Sequence, residues 1–328
     1  MKTLLLDPRC NPSALEQAAQ LLRAGDLVAF PTETVYGLGA RVFCETAVAR
    51  IFTVKGRPLD NPLIVHIAAL EEVRCLAADV PDTFWMLAER FFPGPLTVVL
   101  RRHARVPAVV SAGLDTIALR MPRHPYALEL IRLTGEPIAA PSANRSGRPS
   151  PTTAEHVLQD LQGKIAAVVD GGPCEVGLES TVLHLLTDPP MILRPGVVTA
   201  EELSAVLGSP VGYWHSQETG PVPSPGVKYR HYAPQAAVVL VASWEAVRQW
   251  MANHTEANPV VLAPRPSQEH IPVVFRPLDV ATLYAEFRRA DAEGRSHILV
   301  LCTPAVQANP ALWDRLRKAA ASQLEEAP

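Results

Sequence analysis

From residue 13 to about residue 207 the chain alternates between short apolar runs and longer amphipathic stretches, and nearly every junction holds a proline or a glycine. A run of four or five apolar residues between breakers is too short for a helix and fits a buried strand, whereas apolar residues recurring every three or four positions fit a helix with one buried face. Helices are expected over 13–24, 45–53, 82–91, 125–133, 153–161 and 200–207. Ser13-Ala-Leu-Glu16 reads as a capping box for the first with Gly25 to stop it, and Thr199 with Glu202 reads as another for the last. Strands are expected over 27–30, 63–67, 96–100, 117–121, 137–140, 166–169, 181–185 and 191–193. Such interleaving is incompatible with an all-helical or an all-strand protein and points to an α/β sheet domain of about 200 residues.

Proline makes up 32 of 328 residues, roughly twice the ~5% average. A hydrophobic content of 48% argues against disorder as the reason, so where the prolines fall becomes informative. Prolines 210, 221, 223, 225 and 234 mark a semi-extended linker over 209–234, between a domain of residues 1–208 and a second, smaller α/β domain of residues 235–328. In that second domain strands are expected over 237–241, 260–262, 273–275 and 298–302, with helices over 244–251 and 280–292 and another at the end. The linker closes on Lys228-Tyr-Arg-His-Tyr232, a density of functional groups that suits either a spacer or a segment touching a ligand.

Several classes fall away. The longest apolar stretch, residues 236–242, is far short of the roughly 18 residues of a membrane helix, and Asp7 and Pro8 interrupt any signal-like start, so a cytoplasmic protein is expected. Five cysteines, at 10, 44, 75, 174 and 302, never form a CxxC and read as reduced thiols, with no metal site expected. Lys and Arg number 30 against 33 Asp and Glu, too acidic for a general nucleic-acid coat. No P-loop, GxGxxG, GxSxG or HExxH pattern occurs, since Gly163-Lys164 runs into Ile165 and Gly37-Leu-Gly39 into Ala-Arg-Val.

What remains is a series of polar clusters at strand ends. Pro31-Thr-Glu-Thr-Val-Tyr-Gly-Leu-Gly-Ala40 leaves a buried-looking strand and is expected to turn sharply on its two glycines, placing Thr32, Glu33, Thr34 and Tyr36 either as ligand groups at a sheet edge or as ordinary turn caps. Lys55-Gly-Arg57 sets two cations where extended backbone can aim both at one polyanion, unless they are solvated surface. His66 lies in an apolar strand, where a core role is the plainer reading. Arg120, also in an apolar strand, is costly without an anionic partner. Pro141-Ser-Ala-Asn-Arg-Ser-Gly-Arg-Pro-Ser150 and Leu193-Arg-Pro-Gly196 add further amide, hydroxyl and guanidinium groups. Together Lys55, Arg57, Arg120, Arg148 and Arg194 suggest a cleft for a phosphate-bearing ligand, with no covalent nucleophile indicated.

These segments, in order, resemble the conserved blocks of the YrdC family: Pro31–Ala40, Lys55-Gly-Arg57-Pro, Asn61-Pro-Leu-Ile-Val-His66, Pro93-Gly-Pro-Leu-Thr97, Leu119-Arg-Met-Pro122, Pro141 to Gly147, Glu179-Ser-Thr181 and Leu193 to Gly196. The linker and the added domain resemble the family's long, two-domain threonylcarbamoyl-AMP synthase form. The resemblance implies a YrdC-like twisted mixed sheet flanked by helices, plus a smaller Rossmann-like α/β C-terminal domain. It implies a nucleotidyltransferase joining L-threonine, bicarbonate and ATP, with Mg2+, into threonylcarbamoyl-adenylate and diphosphate. That adenylate then serves proteins that modify ANN-decoding tRNAs, with weak tRNA binding as a further expectation. By position Thr34, His66, Arg120, Ala140 and Ser180 match the threonine-contacting residues. Arg57, Asn61, Thr116, Ser142, Asn144, Ser150 and Arg194 match the ATP-binding ones, and Lys55 with Arg57 the catalytic cations. Tyr229 is the linker tyrosine expected to close over the nucleotide, ahead of Tyr232. Two rivals carry a similar domain. One is a double-stranded RNA or tRNA-binding module without catalysis; the other is a hydrogenase carbamoyl-transfer factor, whose CxxC pairs are missing here.

Overall fold

The computed structural model describes residues 2–214, 232–267 and 271–320; Tyr229 and most of the proline-rich linker lie outside the described residues. The chain divides into two compact units, Met1–Ser146 with Ser150–Lys228, and Gly147–Pro149 with Tyr229–Pro328.

The first unit runs β1 (Leu4–Leu6), α1 (Ala14–Arg23), β2 (Val28–Phe30), β3 (Gly37–Arg41), α2 (Glu45–Lys55), β4 (Ile64–His66), α3 (Val73–Leu76), β5 (Ala77–Ala78), α4 (Asp82–Phe91) and β6 (Leu96–Arg102). It continues β7 (Thr116–Arg120), α5 (Pro125–Thr134), β8 (Ile138–Ala139), α6 (Ala154–Leu161), β9 (Ala167–Val169), β10 (Thr181–His184), β11 (Met191–Arg194), α7 (Ala200–Leu207) and β12 (Gly212–Tyr213). The strands form one mixed sheet in the order β1-β9-β2-β3-β8-β4-β7-β6-β10-β11-β12, with β5 beside β6. Several sheet neighbours, such as β1 with β9, β3 with β8, β4 with β7 and β6 with β10, are therefore far apart in the chain.

One face of this sheet is sealed along its length by α2, α4, α6 and α7, whose Ile51, Phe84, Val157 and Leu203 pack on Leu38, Val65, Leu119, Val98 and Leu183. The other face is treated differently at its two ends. Under β1, β9, β2 and β8, helices α1 and α5 bring Leu22, Leu130 and Ile131 against Phe30, Ile138 and Ala140. Under β4, β7, β6, β10 and β11, the same face holds Ile64, Ala118, Val99, Val182 and Leu193 with Trp214 alongside, and among the described residues no helix joins that cluster. This helix-free half is the floor on which the candidate site stands.

Two local readings need correction. Ser13 does not cap α1: it is itself helical and its side chain makes no cap bond. Asn11 does that work, its Oδ1 accepting from the Ser13 amide at 3.0 Å and its carbonyl from the Ala14 amide at 3.0 Å, while Glu16 pairs with Arg23. The Thr199–Glu202 box does form, with Glu202 N donating to Thr199 Oγ1 at 3.3 Å and Thr199 N to Glu202 Oε2 at 2.9 Å. Likewise Gly37 and Gly39 do not turn the chain; they lie inside strand β3, paired with β2 and β8. A Cβ on Gly39 would sit 2.8 Å from Ile138 Cγ2 and 2.9 Å from the Phe30 ring, so glycine here admits neighbouring side chains over the strand. The reversal lies upstream, where the Thr32 hydroxyl donates to Val35 O at 2.6 Å and accepts from the Thr34 and Val35 amides at 3.2 Å each.

The second unit holds β13 (Ala237–Val241), α8 (Trp244–Asn253), β14 (Pro259–Ala263), β15 (Val274–Pro277), α9 (Leu283–Ala292), β16 (His297–Leu301), α10 (Pro304–Gln307) and α11 (Pro310–Ala320). Its sheet is parallel throughout, in the order β13-β16-β14-β15. Both faces of its central strands are buried, as their unbroken apolar sequences require. Tyr232 stacks on Tyr284 at 5.6 Å, with the Arg315 guanidinium 5.1 Å from its ring.

Candidate active site

Strand register explains which residues meet. Residues directly opposite in a ladder share a face, as do residues i and i+2 along a strand. His66 on β4 pairs with Arg120 on β7. The antiparallel ladder that sets Val98 opposite Leu119 continues toward Thr97 and Arg120. Thr97 on β6 pairs with Val182 on β10, and Val182 with Arg194 on β11. One transverse row across five strands therefore reads His66, Arg120, Thr97, Val182, Arg194, and it crosses the helix-free half of the sheet. Ser180, two residues before Val182, joins it: its Oγ lies 2.8 Å from Thr97 Oγ1 and accepts from Arg194 Nη2 at 3.2 Å. Arg194 also donates from Nε and Nη2 to the Ser180 carbonyl at 3.2 and 3.1 Å.

Arg120 has the anionic partner its burial demands. Its Nη2 lies 2.8 Å from Glu33 Oε2, both side chains being 4% exposed or less, and its Nε donates to Gly94 O at 3.3 Å. The Pro93-to-Thr97 block is held beside it, with Gly94 N donating to Met121 O at 2.8 Å. The Phe30 ring meets the His66 ring edge-on at 5.9 Å. Burial, reinforced by the Arg120 charge, pushes the His66 imidazole down to about 3, so it is neutral at physiological pH.

A second group forms where α2 ends. Lys55 is buried at the last turn of α2, and its Nζ donates to the Ser142 and Asn144 carbonyls, with Asn144 Oδ1 at 3.4 Å. Gly56 ends the helix in a left-handed conformation (φ 63°). Arg57, just beyond, donates from Nε to Asn61 O at 3.0 Å and from Nη2 to Pro62 O at 2.7 Å. Ser142 Oγ donates to Asn144 Oδ1 at 2.5 Å, and Gly37 bridges to Ser142, so β3 touches the same loop. Ser150 Oγ donates to Glu179 Oε1.

The structure thus places the sequence-predicted residues in connected groups. His66, Arg120, Ser180 and Arg194 share the row; Lys55, Ser142 and Asn144 share a loop; Arg57 and Asn61 face each other. Ala140 shares the face, its amide donating to Ile64 O at 2.9 Å. Thr34 is fully buried with its Oγ1 2.9 Å from Thr32 Oγ1. Thr116 is the outlying one: it shares the Arg120 face but stands at the opposite end of β7, four residues or about 13 Å away. Two residues given no individual role emerge as central. Glu33 pairs with Arg120, and Thr97, one step beyond the Val98–Leu119 pair in the row, meets Ser180. The available signals were an acid among three hydroxyls, and a lone polar residue in Leu96-Thr-Val-Val-Leu100.

Among the described residues no group of three or more His, Cys, Asp or Glu is arranged to hold a metal ion, and no helix is long and apolar enough to cross a membrane. A mixed sheet whose helix-free half carries two buried guanidiniums, with a lysine-anchored loop and a separate parallel α/β unit, defines a two-domain ligand-binding protein of the YrdC class. The family described as "Telomere recombination" (Sua5, YciO and YrdC) matches residues 20–196, and that described as "Threonylcarbamoyl-AMP synthase, C-terminal domain" matches residues 198–321. The chain belongs to the Sua5–YciO–YrdC family. It is 55% identical over 228 residues to the threonylcarbamoyl-AMP synthase of Pyrococcus abyssi (strain GE5 / Orsay), covering 68% of this chain and 66% of that one. It is 39% identical over 372 residues to the threonylcarbamoyl-AMP synthase of Schizosaccharomyces pombe, covering 98% of this chain and 91% of that one. The crystal structure of P. abyssi Sua5 complexed with L-threonine superposes with a TM-score of 0.89 at 42% identity, covering 98% of each chain.

Proposed function

We propose that the protein joins L-threonine, bicarbonate and ATP into L-threonylcarbamoyl-adenylate and diphosphate. The observation that carries this reading is the in-register row, where Arg120 and Arg194 flank the hydroxyl pair of Thr97 and Ser180 beside a loop anchored by Lys55. Such a row suits a small carboxylate at one end and a polyphosphate at the other.

Threonine amine and bicarbonate yield a carbamate and water, and the carbamate carboxylate then attacks the α-phosphorus, expelling diphosphate. Both reactants are anionic, so the barrier is chiefly electrostatic and positional. Arg120 takes the threonine carboxylate, with neutral His66, Thr34, Ala140 and Ser180 shaping its pocket. Arg57 and Arg194 face the triphosphate, and Asn61, Ser142, Asn144, Ser150 and Thr116 contact the nucleotide. Lys55, whose ammonium is fixed on two carbonyls of the 142–144 loop, holds that loop in place and adds its charge to the field. Magnesium would enter with ATP as its complex and would supply further neutralisation of the phosphate charge beside Arg57 and Arg194. The adenylate is a reactive mixed anhydride and passes to tRNA-modifying proteins in the cytoplasm.

The test is diphosphate release by the full chain with each substrate omitted in turn. Release that requires ATP, threonine and bicarbonate together is expected; release indifferent to threonine refutes the reading. Arg57→Ala retaining full release removes Arg57 from the charge-neutralising role.

A further inference from the structure

Glu33 has no part in that scheme, yet its surroundings call for one. It is 3% exposed. Its Oε2 comes within 2.8 Å of Arg120 Nη2, but the angles make no hydrogen bond. Both Glu33 oxygens, Arg120 Nη2 and the adjacent His66 Nδ1 are buried without a hydrogen-bond partner among the described residues. Buried polar atoms are nearly always paired, and a carboxylate with both oxygens unbonded carries a heavy desolvation cost.

The neighbours do not relieve it. The hydroxyls of Thr32 and Thr34 engage each other at 2.9 Å, and Thr32 donates to Val35 O. The main chain at Glu33 is itself fixed, its carbonyl accepting from Val176 N at 2.7 Å. His124 feels the Glu33 charge, but burial outweighs it and disfavours the imidazolium that would serve as a counter-charge. The orphan atoms are therefore two acceptors on a negative group and a donor on a positive group, side by side on the floor of the site.

That is the complement of a zwitterion. We infer that Glu33 receives the α-ammonium of the amino acid whose carboxylate Arg120 holds, so that the two residues read both ends of the substrate backbone. The inference rests on the threonine reading above and adds the group that recognises its amine. In any α-amino acid the ammonium and carboxylate are one carbon apart. Laid against the Glu33–Arg120 pair they complete a ring of four alternating charges, each with two opposite neighbours. The site and its ligand are then both neutral overall, which keeps the burial of four charges affordable. A hydroxy acid of the same shape brings only the carboxylate. It leaves Glu33 unpaired and places a second negative charge beside it.

The experiment is calorimetric titration of the full chain with L-threonine and with 2,3-dihydroxybutanoate, which carries a hydroxyl in place of the amine. Wild type should favour threonine on the order of 30-fold or more, the usual effect of stripping one partner from a buried charge pair. In Glu33→Gln, which keeps the size and one acceptor but loses the charge, the preference should collapse to a few-fold. A purely structural Glu33 would weaken both ligands alike and leave the ratio intact, and that result overturns the inference. Equal affinity of wild type for the two ligands overturns it without any variant, should Glu33→Gln fail to fold. Wild type that binds no threonine at all defeats the threonine reading, and this inference with it.

Discussion

Gly196 follows Arg194 by two residues at the place where β11 leaves the sheet, and it allows no side chain. A Cβ there would stand 2.3 Å from Thr181 N, 2.7 Å from the Ser180 carbonyl carbon and 2.7 Å from Thr181 Oγ1. Two of these three are backbone atoms, so rotamer changes bring no relief; in Gly196→Ala the two segments must separate by about 1 Å to reach normal packing. The bonds joining them are Arg194 to Ser180 O at 3.1 and 3.2 Å and to Ser180 Oγ at 3.2 Å. Thr181 Oγ1 adds a bond to Val198 O at 2.7 Å and one from Val198 N at 3.2 Å. Stretching most of these past bonding distance, at about 1 kcal/mol each, destabilises the unit by about 3–5 kcal/mol. For a unit of this size that is a fall in Tm of roughly 6–20 °C. Diphosphate release should fall with it at temperatures where the variant is still folded, because Arg194 and Ser180 both move. Thermal unfolding followed by circular dichroism reads the first effect and a coupled phosphate assay the second. Gly208→Asn is the control: Gly208 ends α7 at φ 67° with nothing near its Cβ position, and asparagine tolerates that conformation. A Gly196→Ala protein melting within about 2 °C of wild type, with full activity, would refute the packing argument.

Removing the Thr97 hydroxyl in Thr97→Val deletes its 2.8 Å contact with Ser180 Oγ but leaves the Arg194 bond to that atom. Stability should drop by about 1 kcal/mol and KM for threonine rise several-fold with KM for ATP little changed; equal changes in both constants would contradict the placement. His66, held at about 3 by burial and by Arg120, is neutral in the folded protein, whereas its unfolded counterpart protonates near 6.5. The unfolded state binds the extra proton between those values, so this residue makes stability fall as pH is lowered from about 6.5 towards 3, by up to about 1.4 kcal/mol per pH unit. Chemical denaturation of His66→Gln across that window should show a shallower loss than wild type, and identical slopes would be evidence against a neutral buried imidazole.

Much of the architecture is legible in the amino-acid order because its signals are local. Breakers delimit short strands, and the Thr199–Glu202 box needs only its own four residues. Ser13 fails for the same local reason, since Asn11 two residues earlier competes for the role and Glu16 has Arg23 as an alternative partner. Gly37 and Gly39 mislead because a glycine needed for close approach and one needed for a turn look alike until Phe30 and Ile138 are seen against the strand. The site residues were found one by one, as cations and hydroxyls in unexpected places. Their common row was not, because it depends on registers between strands far apart in the chain. Thr97 was overlooked on that account, and Glu33, read only as one of four polar groups at a sheet edge or turn, was given no partner: each matters through a partner more than eighty residues away. Of the two linker tyrosines, Tyr229 lies outside the described residues, and Tyr232 is engaged by Tyr284 and Arg315 within the second unit.

The interleaved strand order has a consequence for how the protein is made. Lys55 reaches across 87 and 89 residues to its loop, and Thr97 across 83 to Ser180. Closing such spans costs chain entropy that only the finished sheet offsets. An elongating chain therefore gathers the site stepwise and late. The full row comes into being when β11 docks, after Arg194 has left the ribosome; a chain cut before Arg120 lacks the Glu33–Arg120 pair, and one cut before Ser180 lacks the Thr97 partner. The pair proposed to read the amino acid is thus in the chain well before the strand that brings Arg194, and the polyphosphate end of the row is the last part of it to form.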